Sequence, residues 1–237
     1  MRKAARVTGT LLIAAGVLTL AWVVVVWRWQ DPFTAIYTHI EQSRLGSAYE
    51  KRANAYRPVV HARDLAAVER AVRREAVSYD RSLRRGDPVG RLKIGRIGLN
   101  MIVVQGTDHD TLTKGPGHYP QSGLPGEGRL IYVAGHRTTY LAPFAYINNI
   151  RVGDYVTFAV PYGTFTYRVT RHYVVADNDL AVLHNPGREI LRLQACHPRF
   201  FATHRYIVDA NLVGVAPRGA DSYTPSQLAA GATTPTS

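Results

Sequence analysis

Cysteine is almost missing from this sequence, since Cys196 is the only one among 237 residues. A lone cysteine cannot form a disulfide within its own chain, so no internal cross-link stabilises the fold. Two interpretations stay open, an inert buried apolar side chain or a reactive nucleophile. Cys196 ends the strand-like run 189–196, and what the protein does depends on which interpretation is right.

Several motifs that mark metal, phosphate and serine-hydrolase chemistry are also absent. The sequence has no CxxC or HExxH pair for a metal ion, no glycine-rich phosphate loop after a strand, and no GxSxG. Asp177 and Asp179 lie close together, but two carboxylates are too few for a calcium loop. The sequence therefore predicts a protein without a metal or other cofactor.

Acidic residues are few, with 17 Asp and Glu against 29 Lys and Arg, which gives a net charge of +12. This excess favours anionic partners such as nucleic acid, anionic lipid or an acidic wall polymer, although it can also simply keep a protein soluble. The N-terminal segment decides among the partners, because an exported domain seldom meets nucleic acid. We expect membrane lipid or wall polymer and no nucleic acid.

Residues 7–27 contain no charged side chain. As a helix this stretch spans about 31 Å, close to the hydrocarbon thickness of a bilayer. A signal peptide has a shorter apolar core, followed by a small-residue cleavage site, and here Trp-Arg-Trp-Gln-Asp-Pro follows instead. An uncleaved membrane anchor is therefore predicted. Three tryptophans cluster at its outer end, as interfacial aromatics do: Trp22, Trp27 and Trp29.

Arg2, Lys3 and Arg6 precede the anchor, whereas its other flank mixes Arg28 with Asp31. The positive-inside rule then places the N-terminus in the cytoplasm and the rest of the chain outside a single-pass span of the cell membrane. That compartment permits disulfides, so an unpaired thiol there needs another explanation.

The segment after the anchor, residues 33–87, is predicted to be helical and rich in arginine. From Leu65, apolar residues recur at gaps of three and four up to Leu83, which defines one helix face. Pro58 should interrupt the segment, and Gly86-Asp-Pro88 should end it. One interpretation is a spacer helix packed on the following domain; the other is a basic amphipathic helix lying on anionic lipid.

Beyond Pro88 the pattern changes to short strands rich in β-branched and aromatic residues. One helix is expected at 143–150, and there is neither an internal repeat nor a strand–helix–strand alternation. This pattern predicts an all-β sandwich or barrel. The predicted strands are 91–97, 99–104, 129–134, 154–160, 164–175, 189–196 and 205–215.

A cysteine nucleophile requires a base or a cationic neighbour, because the thiolate is the reactive form. Among nine histidines, His136 stands out because it follows a buried strand and a glycine. His197 is adjacent to Cys196, but neighbours on a strand point to opposite faces. The other histidines considered are His118 and His204 in loops, and His39 and His61 in the helical segment, where we expect them to be solvated.

Acyl transfer also requires a donor for the developing oxyanion. Arg205 opens the last predicted strand, which returns beside Cys196 if the two strands form a hairpin, and Arg199 lies in the connecting loop. Arginine is permanently charged and presents a rigid fork of donors. The alternative for either arginine is a solvated surface charge.

Three ordered motifs resemble those of sortases. Leu-Arg-Leu-Gln-Ala-Cys-His-Pro-Arg-Phe (191–200) with Arg205 resembles the active-site strand, and Ala-Gly-His-Arg-Thr-Thr-Tyr (134–140) resembles the histidine motif. The third match is Gly-Pro-Gly-His-Tyr-Pro (115–120) followed by Leu-Pro-Gly (124–126). The resemblance covers roughly 88–215 and the anchor, and is greatest to the class E sortases of actinobacteria.

The resemblance implies a closed eight-stranded β-barrel with short helices and a catalytic site of Cys196, His136 and Arg205. It also implies a transpeptidase that cleaves an LPxTG-like or LAxTG-like sorting signal between Thr and Gly through a thioester. The partners would be secreted proteins bearing that signal and an amine of a peptidoglycan precursor. The residues expected to line the substrate groove are Tyr119, Ser122 and Tyr140, which could equally serve in strand-end packing.

The predicted layout is a cytoplasmic N-terminus (1–6), a transmembrane anchor (7–27), a helical extracellular stalk (28–87), a catalytic barrel (88–215) and a disordered tail (216–237). The sequence departs from the family at Ala195, where sortases usually have threonine. This departure keeps one alternative open, a non-catalytic β-barrel that binds the wall. An L,D-transpeptidase is disfavoured, because that family places its histidine and cysteine close together in sequence.

Overall fold

The structure is a computed structural model that describes residues 2–29, 32–57 and 64–227. Its first helix, α1 (Arg2–Trp29), contains a stretch, Arg2–Val25, with a mean hydropathy of 2.1 and no side chain buried by the rest of the protein. By length and composition it is sufficient to cross a membrane. The span predicted at 7–27 lies within α1.

Two further helices follow, α2 (Pro32–Ala55) and α3 (Leu65–Ser82). The Asp64 carboxylate caps α3 by accepting a hydrogen bond from the Ala67 amide at 2.7 Å. The interruption predicted at Pro58, and the position of His61, lie outside the described residues. The end of α2 at Ala55 and the start of α3 at Leu65 fit two separate helices.

Eight strands form a closed barrel in the order β1-β2-β3-β4-β7-β8-β6-β5, with β5 pairing back to β1. Most neighbours are antiparallel, whereas β2–β3 and β4–β7 are parallel. The strands are β1 (Pro88–Ile94), β2 (Leu99–Gln105), β3 (Gly117–His118), β4 (Leu130–Gly135), β5 (Tyr155–Val160), β6 (Gly163–Ala176), β7 (Ile190–His197) and β8 (His204–Pro217). The predicted fold class is confirmed.

Short helical segments connect the strands. One is the four-residue helix α4 (His109–Leu112), and the others are 3-10 turns at Gly95–Ile97, Ile147–Asn149 and Leu180–Leu183. The single helix predicted over 143–150 is wrong in extent and in number. Only residues 147–149 of that range are helical, and all four segments, with three or four residues each, are too short to produce a helical period in the sequence.

The apolar face of α3 is buried against the barrel. Val72 is 2% exposed and Ala76 fully buried, and both belong to the cluster that fills the barrel interior together with Phe158, Phe165 and Tyr167. The spacer-helix interpretation is therefore the one that the packing supports. The arginines of α3 lie on its opposite, solvent-exposed face, for example Arg70, Arg74 and Arg81.

The predicted disordered tail, 216–237, is wrong for its first part. β8 continues to Pro217, and Tyr223 exchanges two backbone hydrogen bonds of 2.8 Å with Val215. The Tyr223 side chain is 4% exposed and packs in the interior cluster. The small and polar residues of this segment predicted disorder, but the single aromatic side chain of Tyr223 holds it against the barrel.

Candidate active site

The ends of three strands bring Cys196, His136 and Arg205 to one edge of the barrel. In the parallel pair β4–β7, Gly135 lies opposite Ala195, so His136 and Cys196 are the next residues along the two strands. In the antiparallel pair β7–β8, Cys196 lies directly opposite Arg205. Cys196 is thus flanked by the histidine on one side and the arginine on the other, although the three come from distant parts of the chain.

Strand alternation places these side chains on the outer face of the barrel. Ala195 is 1% exposed and belongs to the interior cluster, so its neighbour Cys196 points outward. Arg205 shares this face, because directly opposed residues of paired strands project to the same side. Cys196 is a free, half-buried thiol, which is neither sealed in the core nor fully exposed to solvent.

The His136 imidazole lies beside two other aromatic side chains. Its ring centroid is 5.3 Å from that of Tyr140 and 6.4 Å from that of His109. Its Nε2 atom is buried and has no hydrogen-bond partner among the described residues. Burial lowers the pKa of His136, and the nearby His109 lowers it further. The imidazole is therefore predominantly neutral at neutral pH.

The glycine before His136 is required by packing. A Cβ atom at Gly135 would lie 2.6 Å from a ring carbon of Phe144. The Phe144 amide in turn donates a 3.0 Å hydrogen bond to the His136 carbonyl. This close approach fixes the backbone at the point where the histidine leaves the strand.

The guanidinium of Arg205 lies over the outer face. Its Nη1 atom donates to the carbonyl oxygens of Ala202 at 2.7 Å and His204 at 2.9 Å. No other atom of this guanidinium donates a hydrogen bond within the described part of the chain, so Nε and Nη2 remain available to a ligand. Arg199 is placed differently: its guanidinium carbon lies 5.7 Å from the centroid of the Phe200 ring.

Arg137 was missed by the sequence reasoning and is only 6% exposed. Its Nη1 donates to the Cys196 carbonyl at 3.2 Å and to Nδ1 of His197 at 2.9 Å, and its Nη2 donates to Asn148 at 2.7 Å. Burial and the nearby Arg199 lower the pKa of Arg137. The sequence carried no clear signal for this role, because residue 137 lies beyond the end of β4 and its burial depends on β7 lying beside that strand.

An apolar floor on the outer face leads toward Cys196, interrupted on β7 and β8 by the buried ion pair of Arg192 with Asp209. It consists of buried side chains on β4, β7 and β8, covered in part by Val182 of the 180–183 turn. Tyr119 packs against this floor, with its ring centroid 6.0 Å from that of Tyr132. The Tyr132 hydroxyl donates to the side chain of Gln194, which lies two residues before Cys196 on the same face. The floor residues are Leu130, Tyr132, Ala134, Ile190 and Ile207.

The residues predicted to line the groove are not all at the surface. Tyr119 and Tyr140 lie on the active-site side, beside the apolar floor and beside His136 respectively. Ser122 does not line the groove, because it is 4% exposed and its Oγ accepts from the Tyr132 amide at 3.0 Å while donating to the Tyr119 carbonyl at 2.8 Å. A serine in a turn gave no signal that its hydroxyl was needed inside.

Three other histidines singled out in the sequence, His118, His39 and His204, lie in the core or at the surface. His118 is fully buried in β3 with contacts to Gln105 at 2.7 Å and the Gly123 carbonyl at 2.9 Å, and burial lowers its pKa to about 4. His39 and His204 are exposed. Within the ranges that the structure describes, no three His, Cys, Asp or Glu side chains are grouped as a metal would require.

Comparison with known proteins gives a consistent picture. The Sortase domain family matches residues 92–213. Sortase D of Bacillus subtilis is 34% identical over 127 residues, which are 52% of this chain and 63% of that protein. Sortase SrtE1 of Streptomyces coelicolor is 31% identical over 117 residues, 43% of this chain and 33% of that protein. The chain thus aligns with less than two thirds of either relative.

Solved structures agree on the architecture. Sortase E from Streptomyces avermitilis is 30% identical, with a TM-score of 0.51 over 65% of this chain and 97% of that chain. A Clostridium perfringens sortase D5 transpeptidase has a TM-score of 0.60 over 73% of this chain and 98% of that chain, at 22% identity. At that identity the second likeness concerns the fold alone.

Proposed function

The chain belongs to the sortase family, and we propose that it is a membrane-anchored cysteine transpeptidase. Its substrate would be a sorting signal of the LPxTG or LAxTG type, cleaved between Thr and Gly. Its acceptor would be an amine of a peptidoglycan precursor. The observation that carries this proposal is the position of Cys196 between His136 and Arg205 on one outer face of the barrel.

In the first half-reaction the Cys196 thiolate attacks the threonine carbonyl carbon and forms a carbon–sulfur bond. The developing oxyanion accepts hydrogen bonds from Arg205, whose Nε and Nη2 atoms remain available for it. Collapse of the intermediate breaks the Thr–Gly carbon–nitrogen bond. His136, as imidazolium, gives its proton to the leaving glycine amine, and a thioester remains on Cys196.

In the second half-reaction an acceptor amine attacks the thioester carbonyl. His136, now neutral, takes the proton from the attacking nitrogen, and the carbon–sulfur bond breaks to release the thiolate. An amide bond replaces the one that was cleaved, and the enzyme returns to its starting protonation state. The two steps therefore need no oxidant, metal or nucleotide.

Burial lowers the pKa of His136 and so disfavours the imidazolium that the first half-reaction requires. The buried Nε2 atom has no hydrogen-bond partner among the described residues, so no other side chain competes for the proton that it would give to the leaving amine.

The test uses the full chain in detergent micelles with a labelled peptide carrying LAxTG or LPxTG and with triglycine as acceptor. A product joining the peptide to triglycine, absent for Cys196→Ala, is the expected result. An exposed position far from the site, Asn100→Ala, provides the matched control. If Cys196→Ala still forms the product, the nucleophile is another residue; if no peptide is turned over and peptidoglycan is bound, the chain is a wall-binding module.

A further inference from the structure

The loop that carries His136 is tied to the helix that follows the apolar span. The Tyr140 amide donates a 3.2 Å hydrogen bond to Oγ1 of Thr34 in the first turn of α2. Helix α1 ends at Trp29, five residues earlier. Five residues span at most about 18 Å even when fully extended. The His136 loop is therefore held close to the end of the apolar helix.

Helix α2 is fastened along the barrel at several points. Thr38 donates to the Thr113 carbonyl at 2.8 Å, and Gln42 bonds both the amide and the carbonyl of Ile102, at 2.7 and 2.9 Å. Further along, the Tyr49 hydroxyl donates to the Ala159 carbonyl at 3.1 Å. These bonds fix the direction of α2 relative to the strands.

The far end of α2 lies at the opposite end of the barrel. The Arg218 guanidinium donates to the carbonyl of Ala53, near the end of α2. Arg218 follows Pro217, which pairs with Gly163 at the end of β8 remote from His204 and Cys196. Helix α2 thus begins at the active-site end of the barrel and ends at the remote end. Because the apolar span directly precedes α2, the active-site end is the one closer to that span.

The loop between β7 and β8 presents two large apolar side chains at that same end. Phe200 is 61% exposed and Phe201 is 78% exposed, only four and five residues after Cys196. Phe200 and Ala202 have positive φ angles of 73° and 56°, a region that residues with a side chain rarely adopt. The Ala202 amide donates to the Pro198 carbonyl at 3.1 Å and its carbonyl accepts from Arg205. The loop is held in a conformation that exposes both rings.

A basic group accompanies the two rings. The Arg199 guanidinium carbon lies 5.7 Å from the Phe200 ring centroid, and its buried Nε atom has no hydrogen-bond partner among the described residues. Aromatic rings beside arginines are the combination found where proteins meet anionic lipid headgroups, the rings entering the interface and the guanidinium groups binding phosphate. The net charge of +12 acts in the same direction.

We propose that the end of the barrel bearing Cys196 faces the anionic membrane surface, with Phe200 and Phe201 entering the headgroup region and Arg199 binding lipid phosphate. This inference rests on the membrane anchoring of α1 that is part of the proposed function. The thiol is then presented to chains that are still held in the same bilayer. The exposed rings of Phe200 and Phe201 contact lipid and not the sorting peptide.

The experiment places an environment-sensitive NBD fluorophore on the loop. Full-length chain carrying Cys196→Ala has no other thiol, so Phe201→Cys supplies one labelling site. The matched control is Ser222→Cys, which is exposed beside Tyr223 at the remote end of the barrel. Both proteins are reconstituted in vesicles of phosphatidylglycerol or of phosphatidylcholine, and flotation measures membrane association separately.

In phosphatidylglycerol vesicles the label at 201 should be blue-shifted and about threefold brighter than at 222, as expected for a probe in the interface, and doxyl-labelled lipid should quench it. Arg199→Gln in the same background should reduce the difference between the two lipids. If the protein floats with the vesicles but the labels at 201 and 222 have the same emission maximum and brightness, this inference alone is overturned. If the protein does not float with the vesicles, the membrane anchoring is overturned as well.

The sorting peptide is tested directly, in the same labelled protein in detergent without lipid. If the LAxTG peptide, and not lipid, causes the blue shift at 201, the rings belong to the substrate site and the lipid inference is wrong. Because these measurements use Cys196→Ala and no turnover, their outcome is separate from that of the transpeptidation assay.

Discussion

Two features of its surroundings disfavour protonation of His136, namely burial and the neighbouring His109. His109, at the start of α4, lies 6.4 Å from His136 and lowers its pKa, in addition to the larger effect of burial. The neutral imidazole is thereby favoured by both contributions. In the proposed mechanism this neutral form is the base of the second half-reaction, and the first half-reaction requires the disfavoured imidazolium.

Replacing His109 by asparagine should raise the pKa of His136, because it removes a titratable neighbour whose electrostatic effect lowers that pKa. Titration of the His136 ring protons by NMR measures this directly. His184→Asn, an exposed histidine in the β6–β7 loop, is the control and should leave the His136 titration where it is. A His136 pKa that is unchanged or lower in His109→Asn would contradict the electrostatic account.

Arg137 is a positioning residue, because it contacts the backbone of the nucleophile and not the thiol. Arg137→Lys should lower kcat about tenfold with little change in KM, since a single ammonium cannot replace three bonds that fix the strand end. The rate of Cys196 alkylation by iodoacetamide should change in parallel. Arg168→Ala, exposed on β6, should change neither quantity, and equal kcat in Arg137→Lys would refute the role.

At the scale of elements, the strongest sequence signals produced the most accurate predictions. The alternating runs at 154–160 and 164–175 correspond closely to β5 and β6, and the apolar period from Leu65 corresponds to α3. By contrast β3 has only two residues, too few for any period, although it closes the barrel between β2 and β4. Elements that exist only through tertiary pairing leave no local pattern to read.

The candidate active site likewise contains residues that the sequence predicts and residues whose placement depends on tertiary contacts. The set Cys196, His136 and Arg205 was predicted through the sortase-like motifs, because strand-end context alone left other histidines and Arg199 open. Ser122 and Arg137 could not be assigned, because their burial depends on which strands are neighbours. Ala195 is now explained in part: it lies in the interior, opposite Gly135 and Tyr206, so the missing threonine hydroxyl would not point into the groove.

Helix α3 stabilises the barrel through its apolar face. Val72→Ala should lower the free energy of unfolding by about 2 kcal/mol, because it removes two buried methyl groups and leaves a cavity. Arg74→Ala, two residues along and exposed, should change it by less than about 0.5 kcal/mol. Urea denaturation of fragment 32–237 compares the two variants with the unsubstituted fragment. If Val72→Ala and Arg74→Ala have the same free energy of unfolding, α3 is not part of the cooperative unit.

At the scale of the whole molecule, stability should depend on pH through His118. Its pKa in the folded protein, about 4, lies below the value near 6.5 of the unfolded chain, so the unfolded chain binds a proton first as the pH falls. Stability is then lost between about pH 6.5 and pH 4, by about 3 kcal/mol in total. Glu189 acts in the opposite direction, since burial raises its pKa.

The variant His118→Gln separates the two contributions, because it retains polar atoms at the site but does not titrate. As the pH is lowered from 7 to 4, the free energy of unfolding of wild type should therefore fall more than that of His118→Gln. Urea denaturation at several pH values measures this difference. A constant difference across that range would show that His118 does not titrate with the predicted shift.

The whole molecule joins an apolar helix, a helix that spans the length of the barrel, and a thiol at the near end of that barrel. A fragment that begins at residue 88 lacks both α2 and α3, and with them the Thr34–Tyr140 bond and the cover of the interior cluster. Activity measured on such a fragment would concern a different protein. Work on the catalytic unit should therefore retain the chain from residue 32 onward.

A thioester on Cys196 can be detected in the intact mass of the protein after it is mixed with an LAxTG peptide without an amine acceptor and quenched in acid. We expect a mass increase equal to the peptide fragment ending in threonine, located on Cys196 and removed by hydroxylamine as a thioester is. His136→Ala should accumulate far less of it. A turned-over peptide with no adduct, or an adduct on any other residue, would contradict the account.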